Sequence, residues 1–186
     1  MGEYSKIQKR IWNSPTFNRL SEDAKFLWFY LLTCPHGNIL GLFVLKPGYA
    51  CADLGWSEER FRKALQELLT IPLSNGYEKG LISYDEKTCL LLIKNYLEHN
   101  PLANPNQVKA ALAKLEELPI SPLFQEFKRL LKQLDKPLYK PLLEWLDKRL
   151  PKSVTVTETV TIDRNIKLTL LIKRIFSSGA CQENCV

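Results

Sequence analysis

The residues whose types and spacing could do chemistry are concentrated between Ser57 and Leu69, where Arg60, Arg62, Lys63 and Gln66 share two turns of a single helical pattern. At 3.6 residues per turn, Phe61, Ala64, Leu65 and Leu68 occupy i, i+3, i+4 and i+7, which turns Glu59, Arg62, Lys63 and Gln66 outward. Long side chains ending in N–H donors suit hydrogen bonds to base edges and ion pairs with phosphates. Three further cations, Lys9, Arg10 and Lys87, are of the type that holds a duplex by its backbone. The chemistry indicated is binding to double-stranded DNA. The charge on this helix is balanced, however: Glu58, Glu59 and Glu67 stand against Arg60, Arg62 and Lys63, so it is not the positive stripe on which sequence-independent affinity depends.

Catalytic patterns are missing. The chain contains no phosphate loop of the GxxxxGKS/T type, no GxGxxG, no HExxH and no GxSxG, and His36 and His99 have no obvious nucleophile or acid partner in sequence. No enzymatic activity is expected. Five cysteines at positions 34, 51, 89, 181 and 185 form no CxxC pair, which argues against both a disulfide framework and a four-ligand zinc site. Reduced thiols, no metal and no cofactor are expected.

The elements that must position the basic residues follow from local signals. Ser57 is a helix N-cap with Glu58 and Glu59 in the positive first turn, and Gly55 breaks the preceding short helix of Ala50 and Leu54. Two short helices joined by a tight turn read as a helix-turn-helix, whose second helix enters a major groove. Gly80 to Asp85 and Cys89 to Lys94 are strand-like runs joined by a polar loop carrying Lys87, the pattern of a hairpin. Gly41 to Leu45 is a short strand able to complete that sheet, and a loop is expected from Thr70 to Lys79. Upstream, Leu20 precedes the cap Ser21, and Ala24, Leu27, Trp28, Leu31 and Leu32 stripe a central core helix on which Trp28 is expected to be buried. Tyr4 to Phe17, interrupted by Asn13-Ser14-Pro15, reads as an arm docked on that helix.

Beyond Asn100-Pro101 and Asn104-Pro105 come three one-sided helical patterns: Val108, Ala111, Leu112 and Leu115; Phe127, Leu130, Leu131 and Leu134; and Leu142, Leu143, Leu146 and Leu150. Such faces must be buried against one another, the preceding domain or a second subunit. After Pro151 the chain turns to short alternating runs of Val and Thr and reads as a flexible, low-complexity tail. The expected fold class is mainly α with a small β-hairpin: a winged helix-turn-helix over 1–100, a helical extension over 101–152 and a tail over 153–186.

The 186 residues are 45% hydrophobic, ample for a core, and the net charge of +6 is unevenly placed. Residues 1–100 hold 12 Lys and Arg against 11 Asp and Glu, and residues 101–186 hold 14 against 9. That surplus suits a nucleic-acid or acidic partner. The longest apolar run, Phe26 to Leu32, is far short of the roughly 18 residues a membrane span needs, and the charged N-terminus lacks a signal-peptide core. A cytoplasmic protein without a membrane partner is expected.

Five blocks carry a resemblance: Ile11-Trp12-Asn13-Ser14-Pro15-Thr16-Phe17, Leu20-Ser21-Glu22-Asp23-Ala24-Lys25, Leu31-Leu32-Thr33-Cys34-Pro35-His36-Gly37-Asn38, Gly80-Leu81-Ile82-Ser83-Tyr84-Asp85 and Ile93-Lys94-Asn95-Tyr96-Leu97-Glu98-His99-Asn100. In this order they resemble the N-terminal region of bacteriophage replisome organiser proteins, relatives of the DnaD-type primosome proteins, over roughly residues 4–118. The resemblance implies a winged-helix domain that binds a phage replication origin or assembles on it, usually as an oligomer. The family has no short catalytic motif to transfer, and after residue 150 there is no recognisable helicase-contacting module.

Together these readings predict a DNA-binding protein of phage or prophage replication initiation. Arg60, Arg62, Lys63 and Gln66 would face the major groove, and Lys87, Lys9 and Arg10 the phosphates. The partners would be origin-like double-stranded DNA, a replication protein such as a helicase or helicase loader, and further copies of the chain. Two alternatives are a winged-helix transcriptional regulator and a protein-binding scaffold without DNA affinity.

Overall fold

In the computed structural model, which describes residues 7–73 and 80–150, four side chains convert extended backbone into helix. Ser14, Ser21, Ser57 and Asn104 each accept a hydrogen bond from the amide three residues on, at 3.3, 3.2, 3.3 and 3.0 Å. The tail expected over 153–186 and most of the loop expected over 70–79 lie outside the described residues. A 3-10 turn at Lys9–Asn13 leads into α1 (Pro15–Asn18) and α2 (Glu22–Thr33). Then come β1 (Leu42–Val44), α3 (Pro47–Leu54), α4 (Glu58–Thr70), β2 (Ile82–Asp85) and β3 (Leu90–Ile93). The chain continues with α5 (Tyr96–His99), α6 (Pro105–Glu117), α7 (Leu123–Leu134), a 3-10 turn at Pro137–Tyr139 and α8 (Lys140–Arg149). The architecture is mainly helical, with a small three-stranded antiparallel sheet of order β1-β3-β2.

The sheet is the middle of three layers. Pairing sets Phe43 opposite Leu91 and Leu42 opposite Leu92, and successive residues point to opposite faces. Phe43, Leu45, Ile82, Leu91 and Ile93 join a core with Leu27 and Leu31 of α2, Ala50 of α3, and Phe61, Ala64 and Leu68 of α4. Leu40, Leu42, Leu90 and Leu92 join a second core with Val108, Ala111 and Leu115 of α6, Phe124, Phe127 and Leu131 of α7, and Leu142 and Leu146 of α8. β3 is therefore buried on both sides, which accounts for its unbroken run of Leu and Ile.

The three one-sided helices are accordingly covered within the chain, by each other and by the second face of the sheet. Lys94 at the end of β3 reinforces the junction with an ion pair to Glu126 of α7 at 3.5 Å, and Lys128 of α7 pairs with Asp147 of α8. The apolar stripes that pointed to a subunit contact are used inside one protomer. The helical extension is part of the same folded unit as the preceding 100 residues.

Two side chains depart from expectation. Trp28 is only partly buried: the innermost positions of α2 belong to Ala24, Leu27 and Leu31, and Trp28 instead lines a cavity beneath the N-terminal arm. Tyr139 is fully enclosed in the second core, yet among the described residues its hydroxyl has no hydrogen-bond partner. An unsatisfied buried hydroxyl costs roughly 1–3 kcal/mol. Tyr139→Phe, which keeps the ring and removes the orphan, is expected to leave stability unchanged or to raise it by about 1 kcal/mol. Urea denaturation checks this; a loss above about 1 kcal/mol would mean that the hydroxyl has a partner.

Candidate nucleic-acid interface

The α3–α4 unit is shaped by its turn. Gly55 caps α3 in the left-handed region at φ 64°, where a Cβ would be strained, and the Trp56 amide donates to the Cys51 carbonyl at 3.0 Å. Trp56 then folds into the first core at 9% exposure, and Ser57 starts α4. With Phe61, Ala64, Leu65 and Leu68 buried, the exposed face of α4 carries Glu58, Glu59, Arg62, Lys63 and Gln66, as the periodicity predicts.

Neighbouring groups decide which of these side chains are available. Arg60 is exposed but engaged: Nε and Nη2 donate to the two oxygens of Asp23 at 2.9 and 2.6 Å, and the guanidinium lies 4.4 Å from the Trp56 ring centroid. The Arg60 hydrogen bond holds the Asp23 carboxyl below its ordinary range. Together with Glu67, which accepts from the Ser21 amide and hydroxyl at 2.7 and 2.6 Å, this pair fastens α4 to the start of α2. Arg60 thus takes part in the α2–α4 joint. The fork between a guanidinium and a carboxylate 37 residues away leaves no trace in local periodicity.

Arg62 is paired with Glu58 one turn back, at 2.9 and 2.6 Å. That hydrogen bond, then the charges of Glu58 and of Glu86 on the β2–β3 turn, keep its guanidinium still more firmly protonated. Lys63, Gln66 and Lys87 are exposed, and Lys63 and Lys87 form no ion pair among the described residues. The structure therefore groups Arg62, Lys63 and Gln66 on the exposed face of α4, and places Lys87 on the exposed turn between β2 and β3.

The hairpin tip is tied down. Asp85 accepts from the Lys87 amide at 3.1 Å, from the Thr88 hydroxyl at 2.7 Å and from the buried Ser121 hydroxyl before α7 at 2.7 Å. Those bonds, Ser121 first, hold its carboxyl below the usual range. Cys89 closes the turn at φ 54°, a conformation non-glycine residues rarely take. The short turn that carries Lys87 is thereby anchored to the helical extension through Asp85 and Ser121.

Lys9 and Arg10 are elsewhere. Arg10 Nη2 lies 3.0 Å from His99 Nδ1; arginine cannot accept, so the imidazole nitrogen does. The arm borders Leu81, Ile93 and Asn95, at the ends of β2 and β3 away from the turn. Four-residue strands separate those ends by roughly 13 Å. Lys9 and Arg10 thus do not share the Lys87 end of the sheet.

Beside this face, Tyr30 donates to Asp53 at 2.7 Å, pinning α3 to α2, and burial first, then that bond, push its phenol up. His36 stacks on Tyr49 with centroids 5.3 Å apart. Among the described residues no group of three or more His, Cys, Asp or Glu could hold a metal ion, and no helix is long and apolar enough to cross a membrane.

Glu58 gives a direct test of availability. Glu58→Gln removes the charge that holds Arg62, and binding to any duplex is expected to tighten, with the slope of log K against log salt steepening by about 0.9 for one added phosphate contact. Fluorescence anisotropy on a random duplex measures it; an unchanged slope would mean that Arg62 does not reach DNA.

No family model, curated protein or solved structure matches the chain.

Proposed function

We propose that residues 7–100 form a winged helix-turn-helix that binds double-stranded DNA, and that the protein is a non-enzymatic factor of phage or prophage replication initiation. The observation that carries the DNA reading is the element order α2-β1-α3-α4-β2-β3, with a three-stranded antiparallel sheet of order β1-β3-β2. In such a module the second helix of the pair lies in the major groove and the wing meets the backbone. Lys63 and Gln66 are the base-reading candidates, Arg62 joins them on leaving Glu58, and Lys87 is the phosphate contact. The replication role rests on the five sequence blocks, which also support an origin-like site, self-association on DNA and contact with a helicase or helicase loader.

One observation favours a second reading. With Arg60 held by Asp23 and Arg62 by Glu58, the helix offers little free positive charge, which suits a protein-binding scaffold. Footprinting on the origin and promoter regions of the source replicon separates the readings: protection at the origin supports replication initiation, protection at a promoter alone supports a transcriptional regulator, and no protection supports the scaffold.

A further inference from the structure

A cavity of about 290 Å³ lies beneath the N-terminal arm, between α2 and the ends of β2 and β3. Its walls are chiefly apolar, with Ile11 from the arm, Trp28 and Leu32 from α2, and Ile93 from the sheet. Polar groups enter from the arm, from Ser14 and from the segment after β3, where Arg10, Asn95, His99 and Asn100 contribute. Among the described residues lining it, none is acidic. Arg10 is the one fixed charge in the lining, and its hydrogen bond to His99 bridges the arm and α5.

An apolar chamber with a few convergent polar groups is the usual form of a small-molecule site, and this volume is at the small end of the range. We propose that the cavity binds a small amphiphilic monocarboxylate, with its hydrocarbon chain between Trp28 and Ile93 and its carboxylate at Arg10. The chemistry follows from the lining. A hydrocarbon chain matches the walls, and a carboxylate matches a guanidinium, which donates to both oxygens at once. A dianion or a sugar would leave polar groups facing the apolar wall. Such a ligand would draw Arg10 from His99 and occupy the space under the arm. The proposal is independent of the nucleic-acid reading, because it involves neither α4 nor the hairpin turn.

The test is titration of the full chain with octanoate, followed by amide chemical shifts, with 1-octanol and acetate as controls. Saturable shifts clustered around Ile11, Trp28 and Ile93 are expected with octanoate, and none with acetate. 1-Octanol should bind at least about tenfold more weakly, the worth of a charge-assisted hydrogen bond. Arg10→Gln should weaken octanoate by a similar factor while leaving 1-octanol unchanged. The proposal is overturned if octanoate gives no saturable shifts or if its shifts centre on the exposed Trp12 and Phe26. Equal affinity for octanoate and 1-octanol, or undiminished octanoate binding by Arg10→Gln, overturns it as well.

Discussion

A chain ended after Asn100 is expected to fail to fold, although it contains α2, α3, α4 and the whole sheet. Such a chain loses α6, α7 and α8, and with them the cover over Leu40, Leu42, Leu90, Leu92 and Leu97, each at most 4% exposed in the whole protein. Full burial of one leucine contributes about 1.5–3 kcal/mol, so losing the cover over five is comparable with the roughly 5–15 kcal/mol by which domains are usually stable. A three-stranded sheet wet on a face that carries Leu42, Leu90 and Leu92 is also a surface for aggregation. A gentler form of the same test is Leu92→Ala in the full chain, which should cost about 2–5 kcal/mol. Denaturant unfolding of Leu92→Ala, and solubility and dye binding of the shortened chain, measure the two effects. A soluble, cooperatively folding 1–100 piece would refute the three-layer account.

Much of this architecture was legible because it rests on local signals. Ser21 and Ser57 announced α2 and α4, the i, i+3, i+4 spacing of α4 named its buried face, and Gly55 marked the turn. The three late helices were legible too, but not what they pack on. The clue lay in Leu90-Leu91-Leu92-Ile93, since a strand without alternation is covered on both faces, and the missing cover was those helices. Periodicity identifies an apolar face without naming its partner. Trp28 shows a second limit, because membership of a stripe does not say how deep a residue sits, and Leu27 and Leu31 took the innermost positions. In the candidate site, the outward set of Arg62, Lys63 and Gln66 followed from spacing. The engagement of Arg60 by Asp23 and the tether from Asp85 to Ser121 did not, because they join residues 37 and 36 positions apart.

The second large effect is expected on DNA affinity. Lys63 and Gln66 project from the exposed face in the middle of α4, and neither makes the fork to Asp23 that holds Arg60. In a helix lying in the major groove they would reach base edges. Combined Lys63→Ala and Gln66→Ala should lower the preference for a selected duplex over a scrambled one by about 1–3 kcal/mol, the value of one good base contact. Lys87→Ala should weaken both duplexes alike and flatten the salt dependence by about 0.9 in log K against log salt. None of the three side chains is buried, so unfolding would not explain the losses. The roles are distinguishable because a phosphate contact carries no sequence information.

The most direct measurement is a salt titration between about 50 and 200 mM of the unaltered protein, Lys63→Ala/Gln66→Ala and Lys87→Ala. Each is bound to a duplex enriched from a random pool and to its scrambled counterpart. Recognition through α4 and the hairpin turn predicts salt-dependent binding by the unaltered protein, loss of discrimination in the double variant and a shallower slope in Lys87→Ala. Binding that is absent, or that is unchanged in all three folded proteins, would contradict it and leave this face to a protein partner.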